Sequence, residues 1–499
     1  MESHPEPIII QGGMGVAVSG WQLARAVSQA GQLGVVSGTA MDVVLARRLQ
    51  LGDPGGHMRR ALADFPFSDM VERILDRYFI PCGKDGNEPF RPTPMPSVNP
   101  SADQVELIVA ANFVEVYLAG EGHDGLVGVN YLEKIQAPTL PSLYGAMLAG
   151  VDYVLMGAGI PRSIPGVLDR FSRGEPAELP IHVVGAMAGD TTASRFNPDT
   201  FGRGFPAALK RPRFLGIVAS ATLATMLARK ASGRVDGFVV EGPTAGGHNA
   251  PPRGDAAFNE RGEPLYGERD KIDLNAIRAL GLPFWLAGSY GAPDRVVAAL
   301  DKGAAGVQVG TAFAFCVESG LRDDIKHRVL DMSRSGTIDV YTDAVASPTG
   351  FPFKVLRLDG SLSQSLYYKK RERICDLGYL RQAFRRPDGA IGWRCPGERV
   401  ESYIQKGGDL ADTVGRKCIC NALIANIGLA QVRPGDKPEL PLVTCGNEVS
   451  AIAQFVTSDE AQFYYTCDDD TQVYSARDVI NHLLSGVINR VSVRSISCE

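Results

Sequence analysis

Apolar residues in this chain gather into short runs at a steady beat, and within a run they rarely alternate with polar ones. The runs are PIII (7–10), GVVS (34–37), GLVGVN (125–130), DYVLMG (152–157), RFLGIVAS (213–220), VDGFVVEG (235–242), PFWLAG (283–288) and AAGVQVG (304–310). Continuous apolar character suits strands covered on both faces of a parallel sheet, since a half-wet strand would alternate. Helical patterns separate the runs. SGWQLARAVSQAG (19–31) opens with Ser19 and Gln22 in capping-box spacing, and Leu23, Ala24, Val27 and Ala30 share one helical face. PDRVVAALDKG (293–303) has proline and aspartate at its start and glycine at its end, as a short helix should. Eight runs with helical connections predict an α/β chain folded as a (β/α)8 TIM barrel. A doubly wound sheet is the rival topology, which the count alone leaves open.

Two insertions interrupt the beat. Residues 51–101 hold a helical pattern (DMVERILDRYF) followed by PFRPTPMPSVNP, and residues 187–212 hold a Gly/Arg/Pro-rich excursion that includes TFGRGFPAALKRP. Both are long enough for lids or partner surfaces. After about residue 320 the rhythm stops, so residues 1–320 read as the barrel and 321–499 as an α-rich C-terminal extension. That extension contains TIDVYTDAVASPTGFPFKVL, a basic, cysteine-containing stretch (365–430), and a closing helix at SARDVINHLLSG with Ser475 and Asp478 as its cap pair.

Charge and cysteine usage narrow the function classes. Lys and Arg number 51 against 56 Asp and Glu, a net charge of −5, so there is no basic footprint for nucleic acid. An anionic ligand must be held locally, by backbone amides or a few arginines. MESHPEPIIIQGG lacks the basic-then-apolar order of a secretory signal, and no run approaches the roughly 20 apolar residues of a membrane span. The expectation is a cytoplasmic protein without a membrane partner, acting on a small molecule. Nine cysteines, an odd number, fit reduced thiols better than a disulfide framework. Cys375, Cys395, Cys418 and Cys420 fall in one region; a zinc or iron–sulfur site is one reading and buried free thiols the other. The spacing is not paired CxxC, and the expectation is no metal.

In such a barrel the chemistry sits on loops after the C-terminal ends of the strands. QGGMG (11–15) follows the first run, and its glycines let backbone approach a flat ligand, with Met14 as an adaptable apolar contact; a tight turn is the bland alternative. Asn130 ends the third run, where its amide has both a donor and an acceptor to offer a ring's polar edge, or simply ends the strand. AGSYG (287–291) and GTAF (310–313) follow runs seven and eight, the usual phosphate position in this fold. His248, in EGPTAGGHNAPPRG (241–254), ends run six behind Gly246 and Gly247; its ordinary pKa near 6.5 suits proton abstraction near neutrality. The remaining histidines have no such setting.

QGGMG, GVN, EGPTAGGH, AGSYG and GVQVGTAF together resemble the nitronate monooxygenase family, formerly 2-nitropropane dioxygenases, which also includes the FMN-dependent enoyl-ACP reductases. The resemblance covers roughly residues 5–320, and AGGH is its most specific element. It implies an FMN-binding TIM barrel that oxidises alkyl nitronates or nitroalkanes with O2. The alternative it implies is an NAD(P)H-dependent enoyl-thioester reductase of fatty-acid or polyketide biosynthesis. Carried over by motif, Gln11, Gly12, Gly13, Met14 and Asn130 would line the isoalloxazine, and Glu241, Gly246 and Gly247 would border it. Gly288, Ser289, Gly291, Gly310 and Thr311 would hold the phosphate, and His248 would be the catalytic base. Two departures matter: Ser289 stands where the family often has a second glycine, and Ala312 where it often has an arginine. The extension is similar to a longer branch of the family, and a second copy of the chain or a synthase partner docked on it is the partner expectation.

Overall fold

The computed structural model describes residues 6–187, 189–202, 208–435, 437–456 and 473–496. A strand forms at each of the eight apolar runs: β1 Ile9–Gln11, β2 Gly34–Ser37, β3 Val127–Leu132, β4 Tyr153–Gly157, β5 Arg213–Val218, β6 Gly237–Glu241, β7 Phe284–Ala287 and β8 Gly306–Val309. They form one parallel sheet in the order β1-β8-β7-β6-β5-β4-β3-β2. A parallel bridge between Ile10 and Leu33 joins its two ends, with Gln11 N donating to Leu33 O at 3.0 Å and Leu33 N to Ile9 O at 3.1 Å. The sheet is therefore a closed (β/α)8 barrel, and the doubly wound alternative is excluded.

The strands are apolar throughout because both faces are buried. Ile10, Val35, Tyr153, Leu155, Leu215, Val239 and Trp285 pack together inside the barrel. Their neighbours Ile9, Val36, Val154, Phe214, Phe238, Phe284 and Val307 belong to the larger cluster beneath the helices. Trp285 closes the floor, its indole N–H donating to Pro7 O at 2.8 Å.

The helix at Pro293–Asp301 forms as its pattern predicts, with proline in its first turn. The capping-box expectation at Ser19 fails. The helix is Trp21–Gln29 with Gly20 as N-cap and no side-chain cap. Ser19 Oγ is drawn into the loop after β1, accepting from Met14 N and Gln11 Nε2 at 2.8 Å each and donating to Gly12 O at 2.9 Å. Shaping the ligand loop outcompetes capping.

The first insertion folds into helices His57–Ala63 and Ser68–Tyr78 and an extended stretch, which leads into the long helix Ala102–Gly120. Part of the second insertion's TFGRGFPAALKRP lies outside the described residues.

The C-terminal part supplies helices Asp323–Arg334 and Ile419–Ala425 and the closing helix Ala476–Ile496. It also supplies the antiparallel pairs Val340–Asp343 with Phe353–Leu356 and Gln382–Arg385 with Ile391–Arg394. Val183–Val184, just ahead of the second insertion, adds in parallel to the latter pair. The closing helix starts as its cap pair predicts: Ser475 N donates to Asp478 Oδ2 at 2.7 Å and Asp478 N to Ser475 Oγ at 3.2 Å. It packs on the barrel helices Pro293–Asp301 and Trp21–Gln29. No described helix is long and apolar enough to cross a membrane.

Candidate active site

The C-terminal ends of the strands open into a cavity of about 230 Å³. Its walls include Gly12, Gly13, Met14, Asn130, Glu241, Gly246, Gly247, His248, Gly288, Ser289, Gly310 and Thr311, so twelve residues singled out from sequence converge on one space. Two others stand behind it. Gln11 is fully buried; its Oε1 accepts from Val35 N at 3.0 Å and its Nε2 donates to Ser19, so it fixes the loop. Gly291 lies outside the lining, and its N–H donates to Glu448 Oε1 at 2.8 Å.

One wall is backbone because a side chain cannot fit there. A Cβ on Gly13 would lie 2.3 Å from Asn130 Cβ. Asn130 Nδ2 donates to Gly13 O at 3.2 Å, while its Oδ1 is buried without a partner. Gln308, also in the wall, carries a second orphaned buried oxygen, Oε1. Buried acceptors are nearly always satisfied, so two left open against one cavity call for N–H donors from a ligand.

His248 is anchored from outside the barrel. Its Nε2 lies 2.7 Å from Ser347 Oγ, and its ring meets Phe353 edge-on at 4.9 Å. Burial lowers its pKa to about 4, so the imidazole is neutral at neutral pH. At the end of β6, Glu241 is pushed by burial up to about 8 and holds its proton at neutrality. His248 and Glu241 also border a second cavity of about 290 Å³, lined further by Ile160, Leu223, Tyr266 and Phe351. The reactive side chains thus stand between two chambers.

The glycines before His248 divide their work. A Cβ on Gly246 would come within 2.8 Å of the Cys445 backbone, so its bareness makes room for the C-terminal part. Gly247, at φ +77°, faces open space. Sequence reasoning missed this incoming segment. Thr444, Cys445, Gly446 and Glu448 all line the cavity. Nothing local marks them, whereas Gln308 shows as a polar residue inside an apolar run.

The four clustered cysteines are brought near one another, with the Cys375 and Cys395 thiols close enough to influence each other's ionisation. The seven cysteines among the described residues are free thiols. Among the described residues no group of three or more His, Cys, Asp or Glu is placed to hold a metal ion.

A barrel with a bare-backbone wall, unpaired amide oxygens and a neutral histidine at its mouth has the features of a cofactor-dependent α/β-barrel enzyme. Residues 199–343, which span β5 to β8, match the family model described as nitronate monooxygenase, and over that stretch the chain is similar to that family. It is 35% identical over 103 residues to a probable nitronate monooxygenase of Bacillus subtilis, covering 21% of this chain and 28% of that protein. It is 30% identical over 124 residues to the (3aS,4S,5R,7aS)-5-hydroxy-7a-methyl-1-oxo-octahydro-1H-indene-4-carboxyl-CoA dehydrogenase of Mycobacterium tuberculosis, covering 25% of this chain and 30% of that one. The chain thus spans under a third of the length of these curated relatives. Among solved structures, FabK from Thermotoga maritima aligns over 99% of this chain and 96% of its own, at 16% identity and TM-score 0.48. Nitroalkane oxidase from Streptomyces ansochromogenes aligns over 98% of each chain, at 14% identity and TM-score 0.46.

Proposed function

We propose that the chain is an FMN-dependent oxidoreductase of the nitronate monooxygenase type, oxidising alkyl nitronates or nitroalkanes with O2. The observation that carries this reading is the neutral His248 beside a cavity walled by bare backbone and two orphaned amide oxygens. Those residues suit a flavin. Gly12, Gly13 and Met14 would lie against the ring, and Asn130 Oδ1 and Gln308 Oε1 would accept from its N–H edge. The loops holding Gly288, Ser289, Gly310 and Thr311 would take the phosphate end through backbone amides. Bound FMN would accept electrons from the substrate and pass them to O2.

The chain's own contribution is proton handling and orientation. His248, kept neutral by burial, takes the α-proton of a neutral nitroalkane. Ser347 fixes the ring through Nε2, and Phe353 limits its tilt, so Nδ1, which has no partner among the described residues, is the nitrogen left for substrate. Glu241, protonated at neutrality, offers a hydrogen-bond donor on the same side.

The second reading is an NAD(P)H-dependent enoyl-thioester reductase. The chamber of about 290 Å³ behind His248 favours it, because a small nitroalkane has no use for that space and an extended chain does. The test is to mix the flavin-loaded protein anaerobically with nitronate and, separately, with NADPH. Bleaching of the flavin by nitronate alone supports the monooxygenase; rapid bleaching by NADPH replaces it with the reductase.

A further inference from the structure

Residues 444–448, an irregular stretch running into the 3-10 helix Asn447–Phe455, lie far from the barrel in sequence, yet they hold three of its strand-end loops together. Thr444 Oγ1 accepts from Gly247 N at 2.8 Å, and Asn447 N donates to Thr244 O at 3.2 Å, both after β6. Gly446 N donates to Thr311 Oγ1 at 2.8 Å, after β8. Glu448 Oε1 accepts from Gly291 N at 2.8 Å, after β7. The Gly291 amide stands just ahead of the helix Pro293–Asp301, at the loop pair where barrels of this kind bind phosphate.

From this geometry we infer that Glu448, which lines the cavity, is a built-in gate on the phosphate end of the cofactor site: its carboxyl covers the Gly291 amide behind the lining, so an incoming phosphate meets the carboxyl first and reaches that amide only by displacing it. The inference rests on the flavin reading proposed above. The fit of the carboxyl to that corner is tight, since a Cβ on Gly291 would lie 2.8 Å from Glu448 Oε2. The surroundings offer a phosphate little compensation. Arg295 is the cation nearest in influence on Glu448, and its side chain is largely exposed and paired with Asp294. Lys354 Nζ is held by Asn447 Oδ1 at 2.7 Å. Burial raises the Glu448 pKa, which lowers the cost of giving up its charge when a second anion arrives. An ionised Glu448 both competes for the amide and repels the phosphate, so the gate acts on phosphate-bearing flavin alone.

The experiment compares FMN with riboflavin, which has the ring but no phosphate. The full-length chain is stripped of flavin, and binding is followed by quenching of flavin fluorescence. The wild type is set beside Glu448→Gln, which keeps an acceptor for Gly291 but loses the charge, and Glu448→Ala, which frees the amide. The expected result is FMN affinity raised about tenfold or more in Glu448→Ala and to a smaller degree in Glu448→Gln, with riboflavin affinity unchanged within about twofold. FMN affinity that is unchanged or weakened in both variants, or a gain shared equally by riboflavin, overturns the gate. If neither flavin binds any of the three proteins, the flavin reading itself fails and the gate falls with it. Should circular dichroism show Glu448→Ala unfolded, the Glu448→Gln comparison decides.

Discussion

Ser347 can be probed with little disturbance beyond one hydroxyl. It is fully buried, and its backbone carbonyl is independently held by Arg416 Nη1 at 2.6 Å, so Ser347→Ala leaves the chain path in place. What disappears is Oγ, which stands 2.7 Å from His248 Nε2 and 2.8 Å from Thr349 Oγ1 and accepts from Thr349 N at 3.2 Å. A buried group stripped of its partner costs about 1–3 kcal/mol. If the imidazole must be held in one orientation only while the proton moves, that cost appears in the transition state, and kcat/KM falls about 5- to 150-fold. The assay is the initial rate on a neutral nitroalkane and on its preformed nitronate, in air, with flavin saturating. The nitroalkane rate should drop by that factor, while the nitronate rate, which needs no proton removed, should change less than about twofold. Equal loss on both substrates, or no loss on either, would refute the claim that Ser347 acts through His248.

Other expectations follow from the same contacts. Gly13→Ala drives a methyl to 2.3 Å from Asn130 Cβ and turns the orphaned amide away; flavin affinity should fall more than about tenfold, measured by fluorescence quenching, alongside an overpacking cost of about 1–3 kcal/mol. The lowered pKa of His248 keeps it a free base well below its ordinary value. The kcat/KM profile on nitroalkane should therefore show no histidine inflection near 6.5 and should lose activity only as the pH falls through about 4. Glu439 forms a buried ion pair with Arg371, at 2.9 Å, and is shared with Arg433. Glu439→Ala leaves buried guanidinium groups without their partner and should destabilise the C-terminal part by about 3–5 kcal/mol, read as a lowered urea midpoint.

Much of the barrel was legible because each strand must be apolar on both faces. That demand wrote Val-, Ile- and Phe-rich runs into the sequence, with the glycine and asparagine of the loops at their ends. The cap of the closing helix was legible for a similar reason, since Ser475 and Asp478 satisfy each other locally. The reading broke down where a residue serves a distant partner. Ser19 sits in capping spacing, yet its hydroxyl is better used by Gln11, Gly12 and Met14. Gly246 reads as clearance for a ligand, and its bareness is required by the Cys445–Gly446 backbone. Glu448 carries no local mark at all, because its partner Gly291 is 157 residues away.

The central claim is that His248 moves a proton in this cavity, and His248→Ala tests it most directly. With flavin content matched to the wild type, turnover of a neutral nitroalkane should fall by about 100-fold or more, while turnover of the preformed nitronate should be largely spared. Equal retention of both activities, or their equal loss with flavin still bound, would contradict the account.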